Sequence, residues 1–169
     1  MRSEGFTLAE LLVSVAVIGM MAVLGLDGGS DQLTRMQVEA AARRLAVGLE
    51  RGRDAAERTG QGCALALGPD GWRGATAPGA IPCVGADTPL TEGLLPGDVV
   101  LASSFAGPSR FTANGLAIDG GTAVVGHAGT ELVRCVVLSA PLGVIRVGRY
   151  AGAVAPRPLP EKCLPDSSL

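Results

Sequence analysis

The chain has little of what enzymes are built from. It holds one histidine, His127, and one lysine, Lys162, in 169 residues. A lone imidazole with no acidic cluster beside it makes no metal site, so His127 reads as a loop or strand-end residue. The four cysteines, Cys63, Cys83, Cys135 and Cys163, lack the Cys-x-x-Cys spacing of a zinc or redox centre. Glycine is abundant, yet no glycine-rich loop runs into Lys-Ser/Thr, which excludes the common phosphate cradle. Ser103, Ser104 and Ser139 have no His/Asp company that would make a nucleophile. Aromatics are 3% of the chain, and Trp72 is expected to pack beside a hairpin rather than stack on a base. The formal net charge of -2 excludes a generally basic nucleic-acid protein. No enzyme, cofactor or metal centre is expected.

What the chain does have is an apolar run. From Phe6 to Leu26 there is a single charge, Glu10. As an α-helix this run spans roughly 32 Å, enough to cross a hydrocarbon core. A carboxylate in such a segment costs about 3 kcal/mol on insertion scales, so it needs a partner or a purpose. An ordinary secretory signal cut near Gly25 would begin with a short basic leader. Here Arg2 and Glu4 cancel and Glu10 interrupts the start of the run. A plain membrane anchor would leave Glu10 incidental.

After Leu26, the patch Asp27-Gly28-Gly29-Ser30-Asp31 weakens helix and is a candidate melting point. Leu33 to Thr59 then reads as helix. Val38, Ala41, Ala42, Leu45, Leu49, Gly52 and Ala56 recur at helical spacing and form one face. Gly48, Gly52, Ala55 and Ala56 predict close packing on something flat, such as a sheet. Glu39 with Arg43, and Asp54 with Arg58, have the spacing of helix-surface ion pairs on a solvated face.

From Gly62 the signals change to strands and turns. Cys63–Leu67, the turn Gly68-Pro69-Asp70-Gly71, and Trp72–Thr76 read as a hairpin. Residues 77–97, with Pro78, Pro82, Pro89 and Pro96, read as a loop held by Cys83. Val99–Leu101, Arg110–Ile118, Thr122–His127, Leu132–Ser139 and Val144–Tyr150 read as further strands. The tail from Pro156 is expected to lie extended on the surface. The order is α+β: a long N-terminal helix, half membrane and half amphipathic, packed on an antiparallel sheet.

The N-terminal string Gly5-Phe6-Thr7-Leu8-Ala9-Glu10 and its apolar run resemble the class III signal of type IV prepilins and type II secretion pseudopilins. The resemblance implies a leader over 1–5, cleavage after Gly5 by prepilin peptidase, and methylation of Phe6. It implies a fibre-core helix over 6–26, an amphipathic half over 27–61 and a β-rich head over 62–169. Glu10 would neutralise the N-terminal ammonium of a neighbouring subunit, since opposite charges attract strongly in a low dielectric. Further stretches resemble the GspH/FimT branch: Arg43-Arg44-Leu45-Ala46, Leu49 to Ala56, and Gly143-Val144-Ile145-Arg146. In the last, valine stands where the branch's Gly-Arg-x-Arg signature has its first arginine.

The implied protein is a minor pilin or pseudopilin of a type IV pilus or type II secretion system. Its implied partners are other pilins in a helical fibre, prepilin peptidase and the inner-membrane assembly platform. It would be a single-pass inner-membrane protein with a periplasmic head, later drawn into a fibre. An oxidising compartment makes two disulfides the expectation. Three connectivities are open and the sequence does not choose. Pairing Cys63 with Cys83 and Cys135 with Cys163 is preferred, because it closes two local loops and staples the tail onto a strand. The alternative function is DNA uptake in natural transformation. Arg134, Arg146 and Arg149, with Arg157 and Lys162, would supply weak, salt-sensitive phosphate contacts. Against it stand the degraded signature and the nearby acids Glu131, Glu161 and Asp166.

Overall fold

The computed structural model describes residues 7–26, 29–91 and 99–166, with side chains up to residue 21 and again from residue 32. Gly5, Phe6, Asp27 and Gly28 lie outside the described residues, and so does Pro96. The chain falls into two compact units, Met1–Leu33 and Thr34–Leu169.

The first unit contains helix α1, Leu8–Leu26. Every described side chain of α1 is exposed, Leu11, Val13 and Ile18 among them. Glu10 is its one acid. A helix that is apolar all round is one that something else must cover.

Helix α2, Gly29–Thr59, starts earlier than its periodicity suggests: Gly29, Ser30 and Asp31 are helical. From Val38 onward it supplies one wall of the head. Val38, Ala41, Ala42, Leu45, Leu49 and Ala56 are fully buried. The small residues do what their size predicts. A Cβ on Gly48 would overlap the Trp72 ring, and one on Gly52 would overlap Leu65 Cδ1. Trp72 is 1% exposed, and its Nε1–H donates to the Leu45 carbonyl at 2.9 Å. The ring therefore packs against α2, not merely beside its own hairpin.

Among the described residues the head has two antiparallel sheets instead of one. The first, in spatial order β3-β2-β1-β5, contains β1 Cys63–Gly68, β2 Gly71–Gly74, β3 Thr88–Pro89 and β5 Ser109–Phe111. The second, in order β4-β6-β7-β8-β9, contains β4 Val99–Ser103, β6 Gly121–His127, β7 Thr130–Ser139, β8 Val144–Tyr150 and β9 Cys163–Pro165. The β1–β2 hairpin forms as expected, with Gly68 opposite Gly71. The strand predicted over Arg110–Ile118 is shorter. It stops at Phe111 because Gly115, at φ 73, turns the chain back and the Gly115 N–H donates to Thr112 O. The predicted loop after β2 contains β3, which pairs Trp72 with Thr88.

Period-2 alternation divides the second sheet's side chains. Val125, Val136 and Leu138 face α2 and join Leu45, Leu49, Trp72 and Phe111 in the main core. Val124, Cys135, Val137 and Tyr150 face the other way into a smaller core with Cys163 and Val154. The tail makes that second core. It is not simply extended on the surface: Pro158 is fully buried, and the Leu159 N–H donates to the Tyr150 hydroxyl at 3.2 Å. A 3-10 turn, Pro160–Lys162, then leads into β9, which pairs with β8. Both disulfides join the cysteines local to each other, Cys63–Cys83 and Cys135–Cys163. The first holds the β2–β3 loop to β1, and the second holds the tail to β7.

Candidate functional site

Helix α1 opens with a reciprocal cap. The Thr7 N–H and hydroxyl both donate to Glu10 Oε2, at 3.0 and 2.9 Å, and the Glu10 N–H donates back to Thr7 Oγ1 at 3.3 Å. This is a capping box, and it satisfies backbone donors that a helix start leaves open. Its sequence signal is Thr-x-x-Glu ahead of an apolar run. Among the described residues nothing bonds Glu10 Oε1. One carboxylate oxygen thus orders the helix start.

The three candidate arginines do not converge. Arg134 on β7, expected to offer a phosphate contact, is 3% exposed. Its Nη2 donates to Glu39 on α2 at 3.0 Å and its Nη1 donates to Asp166, just past β9. Burial pulls the guanidinium's pKa down, but the hydrogen bonds to Asp166 and Glu39 outweigh it and the net shift is upward. Glu39 is thus drawn to the sheet rather than to Arg43, while Arg53 and Glu57 form an ion pair on the surface of α2. Arg149 lies opposite Arg134 and Arg146 opposite Val137. Three residues apart on one strand, Arg146 and Arg149 start from opposite faces of the sheet. Both are exposed.

His127 ends β6, where its Nδ1 accepts the Gly129 N–H at 2.9 Å. Arg110 and Asp119 form a two-pronged ion pair at 2.6 and 3.0 Å. The hydrogen bond from Arg110 holds the Asp119 carboxyl below its usual range, against the pull of burial. Among the described residues no three His, Cys, Asp or Glu side chains gather where a metal ion could sit.

An apolar, uncovered N-terminal helix with one acid in its first turn, followed by a helix laid on antiparallel sheets, defines the pilin and pseudopilin class. Comparison with known families agrees. The prokaryotic N-terminal methylation motif matches residues 1–26, and the family of type II transport protein GspH matches residues 41–142. The latter match covers more than half of the chain, and the chain belongs to the GspH family of type IV pilin-like proteins. No curated protein and no solved structure gives a significant match. The family is structural and implies an inner-membrane-anchored subunit processed at its N-terminus. Among the described residues no helix is long and apolar enough to cross a membrane.

Proposed function

We propose that this chain is a minor fibre subunit, processed after Gly5 and held in the inner membrane by a single pass over Phe6–Leu26 until it is drawn into a pilus or pseudopilus. The observation that carries the reading is α1: Leu, Val, Ile and Met side chains that are exposed at every described position from Leu8 to Met21. Lipid covers such a helix before assembly, and neighbouring subunits cover it afterwards. Glu10 sets the register. Its Thr7-bonded oxygen fixes the carboxylate, and its other oxygen takes the amino group of the next subunit's Phe6. The head faces outward, and its implied contacts are other pilins, the peptidase and the assembly platform.

A DNA-capturing role is not adopted. Arg134 is committed to two carboxylates, and Arg146 and Arg149 rise from opposite faces. The exposed Arg146, Arg149, Arg157 and Lys162 give only a small counterion-release term, set against the nearby acids Glu131 and Glu161.

The test is N-terminal sequencing of membrane-extracted protein together with fibre incorporation of Glu10→Leu. The mature chain is expected to begin at a methylated Phe6, and the variant is expected to insert into membrane but stay out of fibres. A chain starting elsewhere refutes the processing, and normal incorporation of the variant refutes the register role.

A further inference from the structure

We propose that Asn114 is a modification site, a deamidation centre that the folded head holds shut. The chain has one asparagine in 169 residues, and glycine follows it. That order is the reactive one. In deamidation a backbone nitrogen attacks the side-chain amide of the residue before it, and a glycine nitrogen has no neighbouring side chain to block the approach. Asn114 is exposed, so water reaches its amide, and among the described residues no hydrogen bond holds that amide. Its surroundings, Arg53 and Glu57 on α2 and Gly143 after β7, are all described.

The chemistry consumes only water. The Gly115 N–H gives up its proton, and the nitrogen bonds to the Asn114 side-chain carbonyl carbon. The Cγ–Nδ2 bond breaks, and ammonia leaves with that proton. Water then opens the succinimide ring at either carbonyl and restores the Gly115 N–H. Opening one way leaves aspartate. Opening the other way leaves isoaspartate, whose backbone is longer by a methylene. Nothing is oxidised or reduced.

The turn between β5 and β6 withholds the attacking nitrogen. Its Gly115 N–H donates to Thr112 O at 2.9 Å, the Thr112 N–H to Leu116 O at 2.9 Å, and the Leu116 N–H to Thr112 Oγ1 at 3.1 Å. The proton that must leave is thus held in a hydrogen bond. Gly115 is buried, at φ 73, a conformation that glycine adopts freely. Helix α2 backs it: a Cβ there would overlap the Glu57 carboxylate and lie 2.9 Å from Arg53 Nε. Arg53 and Glu57 hold each other in place at 3.1 Å. Bringing the Asn114 side-chain carbon over the Gly115 nitrogen breaks the turn's bond to Thr112 O and lifts Gly115 off α2. Reaction therefore waits on local opening, which at an exposed turn costs less than global unfolding. Once isoaspartate forms, the extra methylene spoils the spacing of the turn's bonds, and the opening is recorded permanently.

Incubating the full natural chain in detergent at mildly alkaline pH, with and without denaturant, tests the site. Conversion is read as the mass gain from amide to acid in the peptide that contains Asn114, and Gly115 amide hydrogen exchange is measured under the native condition. Conversion is expected to be at least roughly tenfold slower in the folded chain. That slowing is expected to match the Gly115 protection within about a factor of 3, since one opening frees the nitrogen for both. Glu57→Ala is expected to speed the folded-state reaction and leave the denatured rate unchanged, with Trp72 fluorescence showing that the head is folded; if it does not fold, the natural chain decides alone. Equal rates with and without denaturant overturn the proposal. So does a denatured chain that keeps its amide, or a slowing unrelated to Gly115 protection. A folded rate unaffected by Glu57→Ala overturns the part given to α2.

Discussion

Arg134 shows how one side chain joins elements that the sequence keeps far apart. Its guanidinium bridges Glu39 and Asp166, so helix, sheet and tail meet on one cation. Breaking a buried pair from one side leaves charge without a partner. Arg134→Met is expected to destabilise the head by about 1–3 kcal/mol, since the carboxylates left behind are partly open to water, read by denaturant titration of Trp72 fluorescence; a midpoint unchanged from the natural chain would contradict this. The Arg110–Asp119 pair is more exposed and screened by salt. Asp119's folded pKa is depressed, so the pair's contribution is present above about pH 4 and fades as pH falls through the folded value. Asp119→Asn is expected to remove that part of the acid-side slope, with a small and salt-sensitive loss near neutrality. A slope identical to that of the natural chain would place the titration elsewhere.

Helix α2 was legible at the scale of the element because its constraint is local and periodic. Apolar residues at helical spacing, with glycine where the backbone must come close, mark the buried face whatever the partner. The partner was not legible. Nothing local to Gly48 says that the Trp72 ring lies over it or that Leu45 O accepts the indole N–H. Gly48→Val is expected to push the ring away, shift its emission to the red and cost roughly 1–3 kcal/mol by overpacking. Emission and stability like those of the natural chain would mean that α2 yields without strain. The strand predicted over Arg110–Ile118 is broken at the turn dipeptide Asn114-Gly115, where the left-handed Gly115 and the Phe111–Ala117 bridge show how the chain reverses.

The whole head is a layered arrangement closed by its own C-terminus. α2 covers one side of the second sheet, and the Pro-rich tail, locked by Cys135–Cys163, covers the other. Oxidised protein is expected to weigh four hydrogens less than the reduced form, from two disulfides; a mass unchanged by reduction would mean free thiols. Replacing Cys135 and Cys163 by serine should cost about 2–4 kcal/mol and make residues 151–166 the first site of proteolysis. Cleavage beginning elsewhere would show that Tyr150, Pro158 and Arg134 hold the tail unaided.

By itself the sequence determined the secondary-structure order, the buried face of α2, and an N-terminus whose apolar run carries a single acid. Each of these is written in spacing along the chain, where periodicity and local chemistry act. Only the tertiary structure decided that the sheet is double, that the tail folds over its outer face, and that Arg134 is an internal brace while Arg146 and Arg149 rise from opposite sides. Those outcomes depend on which distant strand becomes a neighbour and on which face each residue lands. A one-residue change of register would reverse every face assignment, and no short window of sequence fixes it.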